Sequence, residues 1–307
     1  MRWLAVGGYN TSQMRWLAVV ALLVACGSPP TPHHAESNDD TDDSSGPFVD
    51  NSKYHPHSFT AKVSGEGRPV IFIPGLGCPG SVWDETVAHF DGDIEAHVLT
   101  LAGFAGAKPT KPPLAATVRK ELVRYIHAHK LDKPIIVGHS MGGFIAYWLA
   151  ATAPDLIGGV IVVDAGPALA ADAADPETAF LLRNMWAQAG DDELPDQVRM
   201  AYSGMVSDPK EIEPYLAAIT KSDRQAMGDA IYELVTTDLR DKLGDIRAPL
   251  LLVLADGGYQ QMYKTMVKPI PDHQTVVLAK TKHFVMLDDP AAFDAQLDQF
   301  LKAHPAK

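Results

Sequence analysis

Pro134-Ile135-Ile136-Val137-Gly138-His139-Ser140-Met141-Gly142-Gly143 is the stretch whose reading decides the fold. Its first four residues form an apolar run of the kind a buried strand requires. The next five spell G-x-S-x-G, a sharp turn from strand into helix with Ser140 at its apex. So tight a turn leaves no room for a side chain two residues before or after the serine. Gly138 and Gly142 meet that need and push Ser140 into a strained, exposed backbone position. Ala146, Tyr147, Leu149 and Ala150 continue as a helix able to pack on a sheet. The context on both sides marks Ser140 as a nucleophile rather than a solvated turn serine.

Outward from this point, apolar strand-like runs alternate with helical patterns. Strands are expected at Phe59 to Val63, Pro69 to Ile73, Ala96 to Leu101, Pro134 to Val137, Val160 to Asp164, Pro249 to Ala255 and Thr275 to Leu278. Several are continuous apolar runs, as in strands covered on both faces. Helices are expected at Leu114 to His129, Gly143 to Ala153 and Pro290 to Ala303. Such alternation predicts an α/β fold with a mostly parallel sheet flanked by helices. Residues 166–244 break the rhythm, with no convincing strand. Leu182, Met185, Trp186 and Ala189 have helical spacing there. A helical cap insertion over the site is expected, lined by some of Phe180, Met185, Trp186, Met200, Tyr202 and Tyr215.

A serine hydroxyl needs a base, and the base an orienting carboxylate. His283, in a loop after the last expected strand and before the C-terminal helix, is the candidate base. At this point the chain resembles the α/β-hydrolase superfamily over roughly residues 58–304, and within it the small-lid esterase, lactonase and perhydrolase members. Gly138 to Gly142 match the elbow; His283-Phe284, with Asp289-Pro290 and Phe293, match the histidine loop. Ile73-Pro74-Gly75-Leu76-Gly77 match the loop after an early strand, with proline where the family usually has histidine. The resemblance implies an oxyanion hole made by the backbone N–H groups of Leu76 and Met141. Two acids compete. Asp256 follows the strand that usually carries the acid, but about two residues early. Asp164 ends the preceding strand, where other relatives place theirs. Asp164 is preferred and Asp256 is the alternative.

The N-terminus carries an address. Arg15 precedes the apolar run Trp16 to Ala25, too short to span a bilayer, which needs about 20 residues. It ends Leu23-Val24-Ala25-Cys26-Gly27, which resembles a bacterial lipobox with Cys26 as the lipidated residue. Met-Arg-Trp-Leu-Ala-Val occurs at Met1 and again at Met14, so Met14 is the expected true start of a signal peptide within residues 1–26. Residues 27–57 are Pro-, Asp- and Ser-rich and read as a disordered acidic tether. The domain itself is expected over residues 58–305. This implies a lipid-anchored protein of the bacterial cell envelope, with the outer membrane favoured because Gly27, not aspartate, follows the cysteine.

The chain has 307 residues, 46% hydrophobic and 21% charged, with formal net charge −12. That balance excludes a phosphate-rich partner such as nucleic acid. Fifteen of the acids and seven of the bases lie in residues 166–244. With Cys26 lipidated, Cys78 has no disulfide partner and reads as a small buried filler. No His, Cys, Asp or Glu cluster has metal-ligand spacing, since His127 and His129 face different ways on a helix. No metal or organic cofactor is therefore expected. The expected function is hydrolysis of a carboxylic ester, lactone or thioester through an acyl-enzyme, on a small to medium uncharged substrate. The alternatives are cofactor-free perhydrolase-like acyl transfer and a non-catalytic binding protein on a hydrolase scaffold.

Overall fold

The computed structural model describes residues 54–170 and 174–305. The signal peptide, the lipobox with Cys26 and the tether up to residue 53 lie outside the described residues. Seven strands make one sheet: β1 (Phe59–Ser64), β2 (Arg68–Ile73), β3 (Ile94–Leu101), β4 (Ile135–His139), β5 (Gly159–Val163), β6 (Leu250–Ala255) and β7 (His273–Leu278). Their spatial order is β1-β3-β2-β4-β5-β6-β7, with only the β1–β3 pair antiparallel. Each expected strand is present with ends shifted by two residues or fewer.

Position in the sheet explains each strand's composition. β4, β5 and β6 are central, and every residue in them is buried. Such strands need apolar side chains on both faces, as Ile135-Ile136-Val137 and Val160-Ile161-Val162-Val163 provide. Edge strand β1 exposes Thr60 and Lys62. The helices are α1 (Asp84–His89), α2 (Leu114–Ala128), α3 (Met141–Thr152), α4 (Pro176–Ala187), α5 (Leu194–Ser203), α6 (Pro209–Ile219), α7 (Arg224–Thr236), α8 (Gln260–Met266), α9 (Val285–Asp288) and α10 (Pro290–Ala303). Helix α3 leaves the elbow and buries nearly all its residues, Phe144, Ile145, Tyr147 and Leu149 among them. A helix apolar on all sides belongs in a core.

Between β5 and β6 lie α4 to α7, four helices without a strand among the described residues. Asp175, Asp208 and Asp223 each accept backbone N–H groups at the N-termini of α4, α6 and α7. Asp229 pairs with Arg183, and Glu213 with Arg199. Much of the segment's acidity therefore closes helix ends and ion pairs. One boundary differs from expectation. Residues 54–57 belong to the body rather than to the tether. The His57 N–H and the Ser58 N–H and hydroxyl all donate to Glu121 Oε2 at 2.6–2.9 Å. The Tyr54 ring lies 6.0 Å from the Arg124 guanidinium.

Candidate active site

Strand register brings the distant sequence motifs to one edge. Ile73 pairs with Gly138, His139 with Val163, Val163 with Val253, and Ala255 with Leu278. The carboxyl ends of five parallel strands are therefore level, and the loops after them meet. Strand order reverses between β2 and β4, the crevice where open parallel sheets bind ligands. Ser140 follows β4 and residues 74–78 follow β2, so both stand at that crevice.

Ser140 has φ 53° and ψ −119°, a conformation that costs a non-glycine residue of order 1–3 kcal/mol. The surroundings enforce it. The Ser140 N–H donates to the Val163 carbonyl at 3.0 Å, and the Phe144 N–H donates to the Ser140 carbonyl at 3.0 Å. A Cβ on Gly138 would lie 2.2 Å from the Gly142 carbonyl oxygen, and one on Gly142 would lie 2.2 Å from that of Ile73. The glycines are thus fixed by backbone contact, as the motif requires.

Asp164 also has positive φ, 44°. Its N–H donates to the Val253 carbonyl at 2.8 Å, and its Oδ1 accepts the Ala255 N–H at 3.0 Å. Its Oδ2 accepts a hydrogen bond of 2.7 Å from His283 Nδ1. A carboxylate only accepts, so Nδ1 carries a proton, which in a neutral imidazole makes Nε2 the accepting nitrogen. The Asp164 side chain is 12% exposed and that of His283 28%. Asp256, the alternative acid, does something else. Its Oδ2 accepts the Lys280 N–H at 3.2 Å, and its own N–H donates to the Thr281 carbonyl at 3.2 Å. It holds the start of the histidine loop, while Asp164 reaches the imidazole.

The loop after β2 lies against the elbow. A Cβ on Gly75 would come within 3.2 Å of Ser140 Cβ. Residues 75–78 form a turn closed by the Cys78 N–H on the Gly75 carbonyl at 3.2 Å, with Gly77 at φ +67°. That closure leaves the Leu76 N–H outside the turn's own bond. Met141 is the first residue of α3, so its N–H has no acceptor within the helix. Met141 follows the serine directly, at a helix end that favours negative charge, and Leu76 follows Gly75, which lies against Ser140.

The helical segment closes over this loop. The Tyr202 hydroxyl donates to the Leu76 carbonyl at 2.7 Å, and the Ser222 hydroxyl donates to the Gly77 carbonyl at 3.2 Å. Met227 packs so closely that a Cβ on Gly77 would lie 2.9 Å from its sulfur. The Phe284 N–H donates to the Met205 carbonyl at 3.2 Å. Of the six lining candidates, Tyr202 reaches the site. Phe180 and Met200 instead point outward, 54% and 41% exposed.

A family model for alpha/beta hydrolases matches residues 70–296. The chain belongs to the alpha/beta hydrolase family. It is similar to a pimeloyl-[acyl-carrier protein] methyl ester esterase of Vibrio vulnificus, 23% identical over 78% of this chain and 96% of that one. Its fold is similar to that of a thermophilic esterase from Thermogutta terrifontis, with TM-score 0.69 and 21% identity over 80% of this chain and 94% of that one. It is also similar to that of the enol-lactonase from Burkholderia xenovorans, with TM-score 0.68 and 19% identity over 80% of this chain and 96% of that one.

Three features of this alpha/beta hydrolase escaped the sequence reading. Met227 and Ser222 carry no motif, and they reach the site only because α7 folds back over the loop. His139 was visible only as the unspecified residue of G-x-S-x-G. It is fully buried, and burial holds its pKa well below the usual histidine value, helped by the neighbouring His283. Cys78 is buried too, and burial pushes its thiol pKa up, so it is an inert filler. Among the described residues, no three His, Cys, Asp or Glu side chains group to hold a metal ion.

Proposed function

We propose that this alpha/beta hydrolase is a serine hydrolase that cleaves an ester-type bond — carboxylic ester, lactone or thioester — through an acyl-enzyme. The observation that carries the reading is the 2.7 Å His283–Asp164 hydrogen bond beside a serine held at positive φ. Asp164 fixes the tautomer that leaves Nε2 able to accept a proton. In this reading His283 Nε2 takes the Ser140 Oγ proton as Oγ bonds to the carbonyl carbon. The oxygen becomes an oxyanion facing the Leu76 and Met141 N–H groups, preorganised donors of the kind worth about 2.7–4 kcal/mol each. His283 then protonates the leaving oxygen or sulfur, and the carbon–heteroatom bond breaks. Water, deprotonated by the same imidazole, attacks the acyl-enzyme and regenerates Ser140.

The substrate in this proposal is small to medium and uncharged. Leu76, Met141, Tyr202, Met227 and Phe284 surround the elbow, and none of them carries charge at neutral pH. The segment above them is net acidic, which disfavours anionic acyl donors. A fluorophosphonate probe should label the wild type and leave Ser140→Ala unlabelled. Hydrolysis of p-nitrophenyl butyrate should exceed that of an acyl-CoA. Labelling that survives Ser140→Ala would remove Ser140 from the mechanism.

The proposal extends to location. The Leu-Val-Ala-Cys sequence at residues 23–26 supports export and lipid anchoring at Cys26 in a bacterial envelope, with the outer membrane favoured by Gly27. Radiolabelled palmitate should enter the protein in a bacterial host, and Cys26→Ala should abolish the label.

A further inference from the structure

We propose that His139, the residue immediately before the nucleophile, is a positioning residue that sets where the His283 imidazole stands; the inference rests on the hydrolase reading above. His139 ends β4, and its side chain is wholly buried beneath the site. Its Nε2 lies 2.9 Å from the backbone carbonyl of His283. A carbonyl only accepts, so Nε2 carries the proton and donates. The two imidazole rings lie 4.6 Å apart at 49°, and the Phe284 ring lies 4.6 Å from His139 on a 43° tilt. Trp83 meets His139 edge-on at 6.5 Å. One side chain, attached by backbone to Ser140, thus holds both the main chain and the ring of the base.

Asp164 alone leaves this task undone. Its bond to Nδ1 fixes the ring's rotation and tautomer, but not the depth at which the backbone of residue 283 sits. The loop, residues 279–284, leaves β7 through Lys280 at φ 64°. Asp256 holds residues 280 and 281 and the Met205 carbonyl holds the Phe284 N–H, whereas the His139 bond attaches the carbonyl of residue 283 itself to the elbow. A base misplaced by about 1 Å costs on the order of a hundredfold in rate. His139 also touches the third part of the site. Its Nδ1 is buried with no hydrogen-bond partner among the described residues, and a Cβ on Gly75 would stand 2.9 Å from it. The imidazole is therefore a spacer between the elbow, the loop after β2 and the histidine loop. Because burial keeps it neutral, it adds no second positive charge when His283 becomes an imidazolium in turnover.

The test compares three enzymes in ester hydrolysis, in the rate of fluorophosphonate labelling at Ser140 and in Tm. His139→Phe keeps the flat ring and deletes the N–H. His139→Gln places an amide N–H near the position of Nε2. The Phe variant is expected to lose at least tenfold in kcat and in labelling rate, with KM within about threefold of wild type. The Gln variant is expected to recover most of that loss. A Phe variant with wild-type kcat, or Phe and Gln variants equally impaired, would overturn the proposal, the second by showing that ring packing alone matters. Should His139→Phe fail to fold, His139→Asn replaces it, because its shorter amide falls short of the carbonyl; equal rates for Asn and Gln would overturn the proposal as well. A wild type that neither hydrolyses esters nor labels brings down the hydrolase reading and this inference together. A labelling wild type with an unaffected Phe variant brings down this inference alone.

Discussion

The sheet body and the helical segment α4 to α7 are held by different physics. In the body, β4, β5 and β6 bury every residue, and glycines at the elbow touch backbone at van der Waals limits. The segment shares the apolar core through Val198, Ile212 and Met227, and it meets the candidate site through the packing of Met227 on Gly77 and a few directed hydrogen bonds. Tyr202 and Ser222 bind the carbonyls of the loop after β2, and Glu233 accepts the Ala115 and Ala116 N–H groups at 2.8 Å, closing the start of α2. Backbone geometry in the body therefore places Ser140, Asp164 and His283. Side chains of the segment adjust them, and those bonds are individually small and open to change.

The widest separation of the two regions should appear at glycine. Gly142→Ala forces a Cβ to 2.2 Å from a strand carbonyl, and a loss above about 4 kcal/mol is expected, read as an absent thermal transition. Gly204→Ala in the segment meets nothing nearer than 3.5 Å and has ordinary helical φ, so Tm should hold or rise slightly. Equal damage from both would erase the distinction. Next, Asp164→Asn should lower kcat by about 10³–10⁴-fold, since the amide favours the wrong imidazole tautomer. Asp256→Asn should stay within about tenfold of wild type, because its bonds reach only the start of the loop. Both are measured as kcat on one ester.

A smaller effect is expected across the boundary. Tyr202→Phe deletes one hydrogen bond to the Leu76 carbonyl, worth about 0.5–1.5 kcal/mol, and should lower kcat up to about tenfold with little change in Tm. A change confined to KM would instead make the segment a simple lid. The smallest effect concerns pH. Burial raises the Glu233 carboxyl above its ordinary 4.5, against the lowering effect of the N–H groups it accepts. Because the folded value is the higher, its contribution to stability is complete below pH 4.5 and is lost as pH rises through the folded value. Glu233→Gln lacks that loss. The Tm of the Gln variant minus that of the parent should therefore increase from about pH 4 to about pH 7. A difference independent of pH would show that the carboxylate is not strained by burial.

Particular elements explain what was legible. The central strands could be read because they tolerate only apolar side chains, which leaves a nearly unmixed signal. The elbow could be read because two glycines must flank Ser140 at fixed spacing. The helical segment was legible as helix, but not in its orientation. Phe180 and Met200 look like lining residues by type, yet they face outward, while Met227 faces in. A side chain's direction depends on how a helix is rotated against its neighbours, and short amphipathic stretches specify that weakly. The choice between Asp164 and Asp256 was legible only as a preference. Position in the sequence preferred Asp164 without removing Asp256, and the 2.7 Å bond to the imidazole belongs to Asp164.

By itself the sequence determined the strand set, the turn that strains Ser140 and the presence of a late histidine with two eligible aspartates. These depend on local sterics and on the burial demanded of each strand, which residue types report directly. Tertiary structure alone decided that Asp164 holds His283, that Tyr202 and Ser222 brace the loop beside the serine, and that His139 lies beneath all of them. Those are contacts between residues far apart in the chain, fixed by strand register and helix packing, and no short window of sequence contains both partners.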